Sequence, residues 1–225
     1  MELLKKGKTK DVYRLPDGNF LLKFKDSVTG GEDGGKDPGG NLVVGEVAGV
    51  GSAALHMTTY YFELLKKAGI RTHYVATDLK EKEMIVRPVT MFGNGLEFVV
   101  RYTASGSFVR RYGMYVQEGA KLNAVYEITL KDDARNDPPV TAENAVALGL
   151  FTHKQAVEIE KLVKKVCAIV KHDLEKRGLD LIDIKIEVGI IDGKVAVSDD
   201  ISAGSMRVYK DKKQLDYLEL SDFFK

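Results

Sequence analysis

Cysteine is nearly absent from this chain of 225 residues, and the single thiol, Cys167, excludes an internal disulfide framework and a multi-cysteine zinc site. It lies in the apolar helical run Val163-Lys164-Lys165-Val166-Cys167-Ala168-Ile169-Val170, so a buried thiol is expected rather than a nucleophile. An excess of one charge is also missing. Lys and Arg total 34 against 33 Asp and Glu, for a formal net charge of +1. That leaves no overall electrostatic footprint for nucleic acid or an anionic membrane. No apolar run is long enough to span a bilayer. Met1 leads into Glu2-Leu3-Leu4-Lys5-Lys6 rather than a signal sequence, so the cytoplasm is the expected location. The four histidines, His56, His73, His153 and His172, show no metal-ligand spacing and read as ordinary structural or surface residues. Internal repeats are lacking, and no break in composition forces independent domains.

What is present is an ordinary globular share of hydrophobic residues, 44%, enough for a sizeable core. The most informative stretch is Leu181-Ile182-Asp183-Ile184-Lys185-Ile186-Glu187-Val188-Gly189. Apolar and charged residues alternate with the period of a β-strand, which puts Ile182, Ile184, Ile186 and Val188 on one face and Asp183, Lys185 and Glu187 on the other. Asp192-Gly193 then separates two β-branched runs, the signature of a type I′ hairpin leading through Lys194-Val195-Ala196-Val197-Ser198 to Asp199-Asp200. Carboxylates and an ammonium in this array suit a nucleotide with Mg²⁺, because hard oxygens take the metal and the lysine reaches a phosphate or a carboxylate. A solvated strand face is the alternative.

Elsewhere, Asp11–Leu15 and Asn19–Phe24 flank Pro16-Asp17-Gly18 as a hairpin. Between Thr29 and Gly51 the glycines Gly30, Gly31, Gly34, Gly35, Gly39 and Gly40 crowd around Glu32, Asp33, Lys36 and Asp37. This reads as a mobile loop, either a plain linker or a lid. Helices are predicted over Ser52–Ala68, closed by Gly69, over Ser107–Tyr112, and over Thr152–Arg177, closed by Gly178. Strands are predicted over Thr72–Ala76, over Glu83–Val89 with Pro88 favouring a sheet edge, over Leu96–Tyr102 and over Tyr126–Leu130. Ser107 offers a hydroxyl and a possible helix N-cap after Ala104-Ser105-Gly106, where a phosphate would be well held.

Four motifs occur in order: Gly7-Lys8-Thr9-Lys10-Asp11-Val12-Tyr13; Glu97-Phe98-Val99-Val100-Arg101 with Ala104-Ser105-Gly106-Ser107; Lys131-Asp132-Asp133 with Asp137-Pro138; and Asp183-Ile184-Lys185-Ile186-Glu187-Val188-Gly189. Together with Lys66-Lys67-Ala68-Gly69-Ile70-Arg71-Thr72-His73, they make the chain resemble the SAICAR synthetase family over nearly its whole length. The resemblance implies an α+β, two-lobed fold related to ATP-grasp enzymes and protein kinases, with antiparallel sheets and flanking helices. A small β-rich nucleotide lobe would span 1–88, and a larger lobe with the substrate and metal sites would span 89–225. It implies an ATP-dependent ligase that joins carboxyaminoimidazole ribotide (CAIR) to L-aspartate through an acyl phosphate, in purine biosynthesis. Its ligands would be small molecules and Mg²⁺, with no nucleic acid or membrane partner, and the chain would pair as a homodimer. Phosphoryl transfer is largely positioning and charge neutralisation, so no Ser/His/Asp triad is needed.

By the same resemblance Lys8, Lys10 and Lys131 lie at the nucleotide, and Val12 and Leu22 wall the adenine. Glu187 and Asp199 match the metal carboxylates, with Asp200 second, while Asp183 and Lys185 face the reacting carboxylate and phosphoryl group. Arg101, Ser107 and Arg207 match positions that hold the ribotide 5′-phosphate, and Asp137 joins the substrate residues. One point stays open from the strand pattern. A two-residue turn at Asp192-Gly193 pairs Glu187 with Ser198 and puts Asp200 on its face, whereas a bulge would put Asp199 there. The chain also departs from the family. Gly204 stands where an acidic residue is usual, Gly49-Val50-Gly51-Ser52-Ala53 replaces a Gly-Lys-Gly and two asparagines, and the chain stops at Lys225 where family members continue into a further helix with another arginine. These differences are expected at the substrate end. Two other readings use the same residues: a divergent ligase or phosphotransferase with another substrate, and an inactive nucleotide-binding regulatory protein.

Overall fold

The computed structural model describes residues 1–31, 34–38 and 40–225. Glu32, Asp33 and Gly39, part of the predicted loop or lid, lie outside the described residues. The chain opens with an antiparallel meander, β1 (Glu2–Lys6), β2 (Lys10–Arg14) and β3 (Phe20–Phe24). The predicted hairpin turn holds: Asp17 accepts the Asn19 N–H at 3.0 Å, and Gly18 takes a φ of 88°. The segment after it differs from the expected loop. β4 (Ser27–Gly30) and β5 (Leu42–Glu46) pair with each other within it. Its glycines have a steric cause, since a Cβ on Gly30 would fall 2.0 Å from the Gly35 carbonyl oxygen and one on Gly40 2.4 Å from that of Gly30.

Helix α1 (Val50–Lys67) has no capping side chain of its own at Gly49 and no acidic residue in its first turn. Asp26, between β3 and β4, supplies both from outside the helix: its carboxylate accepts the Gly51 N–H at 2.9 Å and the Lys82 ammonium at 3.1 Å. Gly51 allows this approach, because a Cβ there would lie 2.8 Å from the Lys25 carbonyl oxygen. β6 (Tyr74–Asp78) and β7 (Glu83–Val86) complete a five-stranded sheet in the order β1-β2-β3-β7-β6. The predicted strand ending at Val89 is thus interior rather than an edge, and it stops before Pro88, which has no N–H to continue the ladder.

The second sheet is built from β8 (Thr90–Met91), β9 (Leu96–Thr103), β10 (Lys121–Leu130), β11 (Pro139–Val140), β12 (Asp180–Ile191), β13 (Lys194–Ser198), β14 (Met206–Lys210) and β15 (Lys213–Gln214). β12 is its spine. It pairs with β9 and then β8 along one edge, and with β14 and then β13 along the other, all antiparallel. The short α2 (Ser107–Tyr112) follows β9, and α3 (Ala142–Ala147) and α4 (His153–Lys176) follow β11. Thr152 opens α4 with a capping box through Gln155, and α5 (Tyr217–Ser221) lies near the end of the chain.

The α+β, antiparallel reading of the sequence therefore holds. Val163, Val166 and Val170 of α4 join Ile184, Ile186 and Val188 of β12, together with Leu55 and Phe62 of α1 and Phe24 of β3, in one continuous core. Each such buried aliphatic side chain stabilises the fold by about 1.5–3 kcal/mol. Ile182 departs from the predicted alternation: a bulge falls between Leu181 and Asp183, and Leu181 joins the core in its place. Cys167 is buried in α4 as expected, and burial pushes its thiol upward. Among the described residues no helix is long and apolar enough to cross a membrane.

Asp26 gives a test of the packing of α1. Burial raises its carboxyl, but the Gly51 and Gly49 N–H groups and the Lys82 ammonium outweigh this and hold it below the ordinary 3.8. A carboxyl depressed on folding stabilises above its unfolded pKa and loses that contribution as pH falls through the folded value. Asp26→Asn should cost about 1 kcal/mol at pH 7, as for a lost helix cap. It should also flatten the fall in stability below the ordinary carboxyl value. Urea unfolding at neutral and acid pH checks both.

Candidate active site

Side chains directly opposite each other on antiparallel strands share a face, so the register of the second sheet lays the polar residues out in rows. The first row runs Thr129, Glu97, Glu187, Ser198 across β10, β9, β12 and β13. The next runs Glu127, Val99, Lys185, and the third Val125, Arg101, Asp183, Arg207. The alternation of β12 predicted this face correctly from Asp183 to Glu187.

At the first row, Lys131 donates to Glu187 at 2.5 Å, Lys185 donates to Glu97 at 2.7 Å, and Thr129 donates to Glu97 at 3.3 Å. Lys10, arriving from β2 of the other sheet, lies 2.9 Å from Asp199 and also pairs with Asp200. Burial raises the Glu187 carboxyl and neighbouring Asp199 raises it further, against the pull of Lys131 and Lys185. Asp199 goes the other way. Burial would raise it, but Lys10 and then Lys131 hold it well below the usual carboxylate range. Burial works against the charges of Lys10 and Lys185, yet their carboxylate partners keep both ammonium groups raised.

The open question about the strand end is resolved by the backbone. The Asp192-Gly193 turn has two residues in the left-handed region, and Glu187 pairs with Ser198, as a regular hairpin requires. Alternation then fails, because Asp199 itself takes a φ of 62°. Past the bend the Asp199 and Asp200 carboxylates both meet Lys10, in the cavity that Glu187 also lines. His73 lies beneath this bend with Nε2 3.1 Å from the Asp199 carbonyl oxygen, and burial pushes the imidazole down to about 4.

At the third row, Arg101 and Arg207 both donate to Asp183 Oδ2, at 2.9 and 2.7 Å. Arg101 also pairs with Glu127 and donates to the Ser107 hydroxyl at 3.0 Å, while Arg207 pairs with Asp37 from the β4–β5 connection. Ser107 is thus an acceptor for arginine rather than the predicted N-cap, a position that Gly106 holds. Asp137 accepts the Asp132 N–H at 2.8 Å, and burial and Glu97 raise its carboxyl. Lys8 sits farther out, donating to Asp133 at 2.9 Å.

These rows floor two cavities. The first, about 550 Å³, is lined by Lys8, Lys10, Val12, Leu22, Lys131, Glu187, Asp199 and Asp200. The second, about 830 Å³, is lined by Arg101, Ser107, Asp137, Asp183 and Arg207. Glu97 and Lys185 line both and mark where they meet. Gly204 and Val50, two of the departures from the family pattern, line the first cavity. Among the described residues no set of three His, Cys, Asp or Glu converges as a metal cage. Glu187, Asp199 and Asp200 are carboxylates of the first cavity. Beside them the Ser198 hydroxyl, in the row of Glu187, is buried with no hydrogen-bond partner.

The family model for SAICAR synthetase matches residues 3–220 of this chain. The chain belongs to the SAICAR synthetase family. It is 50% identical to the phosphoribosylaminoimidazole-succinocarboxamide synthase of Clostridium tetani over 222 residues, covering 98% of this chain and 97% of that one. Against the enzyme of the same name from Sulfolobus acidocaldarius it is 38% identical over 208 residues, 92% of this chain and 83% of the relative. A solved structure described as SAICAR synthetase (Type-2) in complex with ADP superposes with a TM-score of 0.84 at 28% identity, covering 98% of this chain and 94% of that one.

Within this SAICAR synthetase framework, sequence reasoning missed Glu97, Glu127, Asp37 and His73. Glu97 had a readable signal, since the alternation of Glu97-Phe98-Val99-Val100-Arg101 puts it on the face of Arg101. The others have none, because their partners lie far along the chain. Gly106 provides a test of the arginine row. It takes a φ of 55°, and a Cβ there would fall 2.6 Å from Arg207 Nη2. Gly106→Ala should cost about 1–3 kcal/mol of stability. It should also turn the Arg207 guanidinium off Asp183, which denaturant unfolding and a crystal structure of the variant would read.

Proposed function

We propose that this chain is an ATP-dependent carbon-nitrogen ligase that joins CAIR to L-aspartate, giving SAICAR, ADP and phosphate in purine biosynthesis. The observation that carries the reading is the meeting of the two cavities at Lys185. A lysine- and carboxylate-lined space abuts an arginine-lined one on a single strand face. Such a junction brings a phosphoryl donor to a phosphorylated acceptor. The match to named relatives over nearly the full chain supports the same activity.

In this reading the small lobe, 1–88, contributes the nucleotide contacts and 89–225 carries the substrate and metal residues. Val12 and Leu22, opposite one another on β2 and β3, face the adenine. Lys8, Lys10 and Lys131 neutralise the phosphates. The donor set at Glu187 and Asp199 fits Mg²⁺. Asp199 raises the cost of ionising Glu187, a cost that a hard cation would relieve, and Mg²⁺ takes one or two carboxylates together with substrate phosphates. Asp200 is the second choice beside Asp199. When bound, the ion would draw charge from the phosphoryl oxygens during transfer.

Arg101, Ser107 and Arg207 hold the 5′-phosphate of CAIR, a planar guanidinium being suited to bidentate phosphate contacts. Asp137 lines the same cavity. Asp183 and Lys185 then lie along the CAIR carboxylate and the phosphoryl group in transit. A carboxylate oxygen of CAIR attacks the terminal phosphorus of ATP, ADP leaves, and the resulting acyl phosphate is open to the amine of L-aspartate. The amine nitrogen bonds to the acyl carbon, a proton is lost, and phosphate departs with its bridging oxygen. Lys185 contributes a fixed positive charge beside the oxygens that gain charge in both steps.

Release of ADP and phosphate that depends on both CAIR and L-aspartate tests the activity. Nucleotide binding without turnover would leave only a nucleotide-binding protein. Glu187→Gln should abolish that turnover with the fold intact, as judged by circular dichroism, because an amide removes one of the charges that hold the cation. Arg101→Ala should weaken CAIR by at least about 1.5 kcal/mol while ADP affinity stays within error, a loss in the range for a hydrogen bond to a charged group. Calorimetry with CAIR and with its dephosphorylated nucleoside reads this directly.

A further inference from the structure

The left-handed bend at Asp199 has to be held by something. Pairing between β12 and β13 ends at Ser198, so the Asp199 carbonyl has no ladder partner, and its side chain is committed to Lys10. That carbonyl oxygen lies 3.1 Å from Nε2 of His73. A carbonyl only accepts, so the ring must carry its proton on Nε2.

The ring is anchored with unusual thoroughness. Its face meets Phe62 edge-on with centroids 5.4 Å apart. Its backbone N–H donates to the Val197 carbonyl at 3.0 Å, and its carbonyl accepts the Arg87 N–H at 2.8 Å. The neighbouring Thr72 forms a parallel bridge with Val197, and Val197 donates to Arg71. The segment 71–73 is therefore laced to the same strand whose end the imidazole holds. Through Arg87, just past β7, it is also tied to the sheet that carries Lys10.

We propose that His73 is a positioning residue: its Nε2–H clamps the Asp199 carbonyl, fixes the left-handed turn that sets the Asp199 carboxylate on Lys10 in the cavity that Glu187 also lines, and so governs the affinity for nucleotide with a divalent cation. The inference rests on the reading of Glu187 and Asp199 as the carboxylates that share Mg²⁺ with ATP. Packing alone does not account for the arrangement, since a phenylalanine would fill the space against Phe62 but leave the carbonyl unpaired. Glutamine can restore the contact, because its amide nitrogen stands the same number of bonds from Cα as the imidazole Nε2.

The test is ADP binding by calorimetry, with Mg²⁺ and with EDTA, for the unmodified protein, His73→Phe, His73→Gln and Asp199→Asn. The gain in ADP affinity on adding Mg²⁺ should fall about 3- to 10-fold in His73→Phe, the scale of one hydrogen bond. ADP affinity in EDTA should not change, and His73→Gln should keep the full gain. Asp199→Asn should lose the gain as well. If Asp199→Asn loses the gain and a folded His73→Phe keeps it, the role of His73 is overturned and the metal reading stands. If Asp199→Asn keeps the gain, the metal reading itself fails. Should His73→Phe not fold, His73→Gln decides alone, since a folded glutamine variant without the Mg²⁺ gain overturns the inference.

Discussion

Charge compensation on one face of β12 is the constraint on which the rest of the structure depends. The same strand must supply Ile184, Ile186 and Val188 to the core and Asp183, Lys185 and Glu187 to the site, and Asp183 and Glu187 are buried. An uncompensated charge in such a place costs roughly 3–5 kcal/mol, more than one aliphatic residue returns. Several neighbouring elements accordingly bring charge to that face. Lys131 comes from the end of β10, Glu97 and Arg101 from β9, Arg207 from β14 and Lys10 from the other sheet.

The compensation is local, so the face divides into two electrostatic halves. Around Glu187 the carboxylates repel one another and lysines balance them, an arrangement open to a cation shared with phosphates. Around Asp183 the sign is reversed, with Arg101 and Arg207 converging on one carboxylate and drawing in Glu127 and Asp37. Asp37 is the informative member. It comes from the β4–β5 connection, reaches Arg207 from far along the chain, and stands where an anionic ligand of that guanidinium would compete. A phosphate at this row therefore exchanges one pairing for another rather than entering an empty positive field, which favours a dianion over a single carboxylate.

Much of this was legible because it is written in local period. The β12–β13 hairpin follows from alternation and Asp-Gly, and α4 follows from helical spacing after Thr152. The site residues named by motif lie in or beside the two cavities. What escaped depends on tertiary partners. The β4–β5 pair was hidden by glycines whose purpose is close backbone approach, as at Gly30 and Gly40. Pro88 read as an edge signal only because the pairing of β7 on both sides cannot be seen from its own residues. Ser107 looked like a cap because its partner, Arg101, is on the preceding strand. Period two left Asp199 and Asp200 open, and the left-handed backbone at Asp199 that breaks the alternation there cannot be read from the period.

The spacing along β12 also fixes how the chemistry is laid out. Same-face residues on a strand are separated by roughly 6.6–6.8 Å, so Asp183 and Glu187 stand about 13 Å apart with Lys185 midway. If the phosphate of one ligand is held at the Asp183 row and the phosphates of another at the Glu187 row, the reacting ends of both have only the Lys185 row in which to meet. Among the described residues that row carries no second cation and no nucleophile from β9, where Val99 faces Lys185. There the Lys185 ammonium, held by Glu97, lines both cavities. A slip of one residue in the register of β12 would exchange this face with the core, abolishing the site and the fold together. Strand register, rather than any one side chain, is what would make two such ligands meet.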